Sequence, residues 1–283
     1  MHFGYRSLAG IALGIIVASC GGVTEGDSAT GKVTGAFTVI TDVPTSGSVT
    51  GASYRRLGGF TSAQPTCASQ KIGECQIDPC YVSALIADGN ALVNAGPVSI
   101  VGADLNSDAL SPQASGAYPS AVVDSQIAWT TSGESVTIQW AHFPGDATQP
   151  GGQLTLATPP YIALQAGSAF ADSATSTFAR DKDLSVVWTS DSAPGTNDRV
   201  NLDLQSGSTQ INCAFSASAG NGVVPSAALQ FLAAGQGTYD VHSKEYSAQK
   251  ISGANGATWT LQFNVDAHAR TSYGLAKGSI TIE

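Results

Sequence analysis

Strict alternation of apolar and polar residues, repeated between clusters of turn formers, constrains this chain more than any other feature of its sequence. Successive side chains of a β-strand point to opposite faces, so a period of two marks a strand with one buried side. Gly35 to Thr41 (GAFTVIT) opens the series, and Pro97 to Val101 (PVSIV) continues it. Ile127 and Trp129 share a face of the next run. Ser132-Gly133 then turns the chain and Val136, Ile138 and Trp140 alternate back, which predicts a hairpin. In the second half Leu184, Val186 and Trp188 alternate, followed by a polar loop over Ser190 to Asp198. Further stripes are Val200, Leu202 and Leu204, then Ile211, Cys213 and Phe215, then Trp259, Leu261, Phe263 and Val265, and finally Ile280 and Ile282. One helix is expected over Pro225 to Ala234, with proline at its start, Gly235 past its end, and Leu229 and Leu232 facing inward. Many short strands at this spacing predict an all-β chain built of β-sandwiches. Paired prolines disfavour sheet pairing, so Pro159-Pro160 suggests one unit over 33–158 and another over 159–283. The alternative is a single larger sandwich.

The N-terminus follows a different logic. Met1 to Ser7 carries the cation Arg6 and no acid, and Leu8 to Ala18 (LAGIALGIIVA) is apolar apart from glycine. A basic start, a short apolar core and small residues have the layout of a secretory signal. The core is too short to span a bilayer, which takes about 20 residues. Val17-Ala18-Ser19-Cys20 resembles the lipobox of bacterial lipoproteins, in which small residues admit the peptidase and the cysteine thiol takes the lipid. That resemblance implies a signal peptide over 1–19, cleavage before Cys20, and membrane anchoring through acyl chains on Cys20. Two or three such chains suffice for stable anchoring. Residues 20–32 then form the lipidated end and a tether, because Gly21 to Lys32 (GGVTEGDSATGK) is too small and polar to bury a core. As a flexible coil it would span about 20 Å root-mean-square. Gly26 to Lys32 imitates the start of a phosphate-binding loop, but Val33 stands where Ser or Thr would hold magnesium and no strand precedes it.

Composition narrows the partners. The formal net charge is −9, from 12 basic and 21 acidic residues. An acidic surface argues against nucleic acid and against anionic headgroups, both of which require Lys/Arg patches.

The runs Asp183 to Thr189 (DLSVVWT), Asp198 to Leu204 (DRVNLDL), Ile211 to Phe215 (INCAF) and Val223 to Leu232 (VVPSAALQFL) resemble the C-terminal half of uncharacterised lipoproteins found in myxobacteria. Cys67 to Cys80 and Ala95 to Gly102 resemble the first half of the same group. The resemblance implies Ig-like sandwich units and residence in the cell envelope, and carries over no catalytic residue. Gly21 rather than Asp after Cys20 matches outer-membrane sorting in other diderm bacteria.

Cys67, Cys75, Cys80 and Cys213 remain beyond the lipobox. In an oxidising compartment four cysteines imply two disulfides with three possible pairings. Cys213 shares the inward face of its strand with Ile211 and Phe215, so full pairing must join it to the first half unless it stays a packed thiol. Zinc is disfavoured, since such sites use close Cys pairs with nearby His, and no His lies near this cluster.

Asp104, Asn106 and Asp108 place oxygens at alternate positions, as in the first three ligands of a calcium loop. Ala109 replaces the turn glycine and Ser115 stands where a bidentate Glu belongs, so a polar turn accounts for the segment as well. Calcium is the one cofactor left open. His142 and Phe143, beside Trp140 and before Pro144, are candidate ligand contacts at a strand end, where rings beside polar groups can stack on sugars or peptides. The chain carries no G-x-S-x-G, H-E-x-x-H or strand-borne G-x-G-x-x-G. The expectation is a lipid-anchored, non-enzymatic binding or scaffolding protein with an envelope protein or glycan as partner. The alternative is an exported hydrolase with an active site assembled from loops, since a triad is defined in space.

Overall fold

The structure is a computed structural model and describes residues 33–43, 50–61, 68–79, 92–105, 109–114, 116–170, 175–254, 256 and 258–283. The signal peptide, Cys20, the tether, Cys67, Cys80, Asn106 and Asp108 lie outside them.

The chain is all-β, as the alternation predicts. Its strands are β1 (Val33–Asp42), β2 (Ser53–Thr61), β3 (Gln70–Ile72), β4 (Cys75–Asp78), β5 (Leu92–Val93), β6 (Val98–Gly102), β7 (Ala109–Leu110), β8 (Ala121–Asp124), β9 (Ser135–Phe143), β10 (Asp146–Ala157) and β11 (Ile162–Leu164). There follow β12 (Thr175–Phe178), β13 (Leu184–Ser190), β14 (Arg199–Ser206), β15 (Thr209–Ser216), β16 (Asn221–Val224), helix α1 (Ser226–Leu229), β17 (Gly235–Ser252), β18 (Thr258–His268), β19 (Arg270–Thr271), β20 (Gly274–Leu275) and β21 (Lys277–Ile282).

A 12-stranded sheet forms the centre, in the order β3-β4-β15-β14-β17-β18-β1-β2-β5, with β21 beside β17, β12 beside β21 and β8 beside β2. Two smaller sheets, β10-β9-β6-β7 and β16-β13-β11-β19-β20, complete the fold. On one face of the large sheet Phe37, Val39, Leu261, Phe263 and Val265 join a core with Val98, Ile100, Val136, Ile138 and Trp140 of the four-stranded sheet. Beside it Val200, Leu202, Ile211, Cys213 and Val241 join a second core with Ile162, Val186 and Trp188 of the five-stranded sheet. Each fully buried Val, Leu, Ile or Phe contributes about 1.5–3 kcal/mol relative to an exposed one. Two sandwiches thus share one sheet. Thr158-Pro159-Pro160 lies between β10 and β11, close to where the cores divide, but strands cross that line: β18 pairs in parallel with β1, and β4 pairs with β15.

Two local expectations need correction. Ile127 and Trp129 do not form a strand paired with β9 across Ser132-Gly133. β9 instead pairs with β10 through the Pro144-Gly145 turn, where Pro fixes φ and Gly145 takes φ +79°. Trp129 is buried because its ring stacks on Tyr161, 5.7 Å away, rather than through strand alternation. The helix is one turn, Ser226–Leu229, rather than ten residues: past Gln230 the chain goes on in tighter turns, Phe231 N–H donating to Ala228 O and Leu232 N–H to Leu229 O. Leu229 and Leu232 are buried as expected.

Candidate functional site

The parity of β17 and β18 that sends Val241 and Val265 into the cores sends Asp240, His242 and Lys244, and Asn264, Asp266 and His268, to the opposite face of the large sheet. That face carries buried charge. His242 and His268 are each 1 % exposed, Asp266 2 % and Lys244 3 %. Register puts His242 directly opposite His268, Lys244 opposite Asp266, and Asp203 of β14 opposite Asp240. Asp42 joins them at the end of β1, whose Thr41 pairs with Ala267.

His268 is held from both sides. Its Nδ1 bonds the Asp42 carboxylate, and its Nε2 lies 2.8 Å from Oδ2 of Asp240. Lys277 Nζ donates to the other Asp42 oxygen at 2.9 Å. Burial alone would lower the pKa of His268, but the Asp240 and Asp42 carboxylates outweigh it and hold the imidazolium up to about 9. Asp42 is correspondingly held well below the carboxylate range, burial notwithstanding, by His268 and Lys277. His242 differs. Its Nδ1 lies 3.9 Å from Asp203 and 4.0 Å from Asp240, beyond hydrogen-bond reach, and burial pushes its pKa down to about 3. Burial also raises Asp203 to about 7, against a 2.5 Å hydrogen bond from Asn212, and Asp266 to about 6.

This array suits structure better than turnover. A general base needs a free ring nitrogen beside the proton it takes, and both nitrogens of His268 are committed to carboxylates. His242 is sealed from solvent, and among the described residues no Ser, Thr or Cys is bonded to either ring. Nor do the described residues contain a His/Cys/Asp/Glu group placed to hold a metal ion.

What the array supports is a hairpin. Between β18 and β21 the chain leaves the edge of β17 at Ala269, which bonds Val241, and returns at Ala276, to which Val241 donates. The excursion, β19 and β20, carries Tyr273 at its tip, 70 % exposed. His268 and Lys277, both bound to Asp42, flank its root. Under the hairpin opens a cleft of about 670 Å³ lined by Tyr161, Thr189, Asp191, Arg270, Ser272 and Tyr273 among others. Its rear wall is rigid: Tyr161 stacks on Trp129, donates its hydroxyl to Trp129 O at 2.9 Å, and is covered by the Arg270 guanidinium 5.1 Å from its ring centre. Arg270 Nη2 in turn lies 3.5 Å from Asp191 Oδ2.

The residues singled out in the sequence fall elsewhere. Phe143 is 5 % exposed and belongs to the first core. His142 is half-buried, its Nδ1 3.1 Å from the Phe143 carbonyl. Asp104 sits in a turn, its N–H donating to Ala128 O. Of the four cysteines, Cys75 and Cys213 form a disulfide between paired positions of β4 and β15. The array was signalled by Asp-x-His-x-Lys over 240–244 and Asn-x-Asp-x-His over 264–268, titratable groups at strand period, but nothing in that pattern says the face is buried. Compared with known protein-family models and with curated proteins, the chain matches none.

Proposed function

We propose that this chain is a lipid-anchored bacterial cell-envelope protein, held on the outer membrane through Cys20, whose β body works by binding rather than catalysis. The lipobox-like Val17-Ala18-Ser19-Cys20 supports the anchor, and the Cys75–Cys213 disulfide suits an oxidising compartment. The observation that carries the binding reading is the open cleft under the Tyr273 hairpin. It presents an exposed ring at the tip of a short hairpin with mixed polar groups around it, the arrangement of a recognition surface. The hydrolase alternative loses its simplest base, because His268 is locked between two carboxylates. Two substitutions test the reading. Cys20→Ala is expected to abolish fatty-acid labelling and release the body from the membrane fraction; unchanged labelling overturns the anchor. Tyr273→Ala is expected to reproduce the envelope phenotype of a deletion at unchanged protein abundance, and a wild-type phenotype overturns the cleft as the working surface.

A further inference from the structure

We infer that the cleft between Tyr161 and Tyr273 takes a saccharide, a neutral polyol laid against the Tyr273 ring with its hydroxyls on Asp191 and Arg270. The inference rests on the binding role proposed above and names its ligand class.

Charge comes first. Asp191 and Arg270 sit 3.5 Å apart and balance each other, so the cleft holds no net charge to attract a phosphate, a carboxylate or a cation. A sugar hydroxyl, by contrast, both donates and accepts, and adjacent hydroxyls can satisfy a carboxylate and a guanidinium side by side. Thr189, Ser190, Thr271 and Ser272 surround that pair with further groups that donate and accept.

The aromatic geometry agrees. Tyr273 is 70 % exposed, the most exposed large hydrophobic residue described, and its hairpin holds the backbone in place. Its own N–H donates to Thr271 Oγ1 at 3.1 Å, and the Thr271 hydroxyl donates to Gly274 O at 3.2 Å. A tyrosine offers large, flat contact area at the cost of two side-chain torsions, which suits the C–H face of a pyranose. Tyr161, stacked on Trp129, lies under the Arg270 guanidinium, and both Tyr161 and Arg270 line the cleft.

A peptide fits less well. Extended peptides bind by adding a strand to a sheet edge. Here the edge strand is β20, only two residues long, Gly274–Leu275, too short to template one.

The test is a microarray of oligosaccharides, including N-acetylhexosamine repeats of the bacterial wall, probed with the full lipidated protein in detergent micelles. The expected result is binding to a defined sugar set, weakened about tenfold by Tyr273→Ala, restored by Tyr273→Trp and weakened by Asp191→Asn. Val122→Ser, at an exposed apolar position on β8, is expected to bind as the wild type. A blank array overturns the saccharide, as does full binding by Tyr273→Ala. If the array is blank while Tyr273→Ala still reproduces the deletion phenotype, the cleft binds something other than sugar and the binding role stands. If the array is blank and Tyr273→Ala is harmless in cells, both fall.

Discussion

His242 and His268 stand directly opposite each other on β17 and β18, their ring centres 6.3 Å apart, and the fold drives their charge in opposite directions. Both are 1 % exposed, so both lose the hydration that favours an imidazolium. His268 recovers the charge because Asp42 and Asp240 each take one of its nitrogens. His242 meets Asp203 and Asp240 only at 3.9 and 4.0 Å and stays neutral. Asp240, facing both rings, is spent on one of them. Its pKa falls despite burial, through the charge and hydrogen bond of His268.

Stability should therefore peak on the acid side of neutrality. In the fold Asp203 and Asp266 titrate near 7 and 6, against about 3.9 in an unfolded chain. Between those values the folded state keeps protons the unfolded state has lost, so stability falls as pH rises toward 7. His268 acts in the same direction. Its raised pKa contributes stability that is complete below about pH 6.5 and lost as pH climbs through about 9. On the acid side, the contribution of neutral His242 fades as pH falls from about 6.5 toward 3, and that of Asp42 fades below about 4. Thermal melts across pH 4 to 10 should place the highest Tm between about pH 4 and 6. A Tm that is flat or rising from pH 6 to 9 would contradict this account.

Asp42→Ala should damage the polar face more than Lys277→Ala does. It removes one of the two carboxylates that hold His268, together with the partner of Lys277, and losing a buried hydrogen bond to a charged group costs about 1.5–3 kcal/mol while Asp240 still balances the imidazolium. Because those two residues flank the hairpin root, amides over 270–275 should also exchange faster with solvent. Lys277→Ala should cost about 1 kcal/mol or less, since that side chain is a third exposed. Denaturant unfolding with hydrogen exchange reads both effects, and equal losses from the two variants would show that the clamp is not centred on Asp42.

The Cys75–Cys213 bridge spans 138 residues of sequence and ties β4, from before the proline pair, to β15, from after it. Peptide mapping without reduction should recover the two cysteines as one linked species. The Cys75→Ala and Cys213→Ala double variant should lose about 2–5 kcal/mol of stability. Recovery of both as free thiols from protein purified without reductant would refute the pairing.

Much of this fold was legible as periodicity. Val136, Ile138 and Trp140, Leu184, Val186 and Trp188, and Trp259, Leu261, Phe263 and Val265 face the cores as their spacing requires, because strand geometry is local and a period of two needs no partner to be read. Cys213 was legible as buried for the same reason, though its partner was not. The choice among Cys67, Cys75 and Cys80 depends on β4 lying beside β15, a contact across 138 residues. The hairpin expected at Ser132-Gly133 failed because two residues, Ile127 and Trp129, are too short a run to carry a period, and Trp129 is held by a ring rather than a ladder.

The cleft proposed for binding was the least legible part. The first residues to suggest a ligand, His142 and Phe143, drew attention as aromatic and polar neighbours in sequence, yet Phe143 fills the core. The cleft instead gathers Tyr161, Asp191, Arg270 and Tyr273 from three separate segments, which no local pattern links. The same limit applies to the charged face. The stripe of Trp259, Leu261, Phe263 and Val265 by itself determined that Asn264, and Asp266 beyond it, lie opposite the apolar core, while no stripe read in the sequence placed Asp240, His242 and Lys244. Only the tertiary structure decided that they are buried, since parity assigns a side chain to a face while burial depends on what packs against that face. With water excluded, the same residue types cease to be a solvated surface and become one neutral and one cationic histidine under the root of a hairpin.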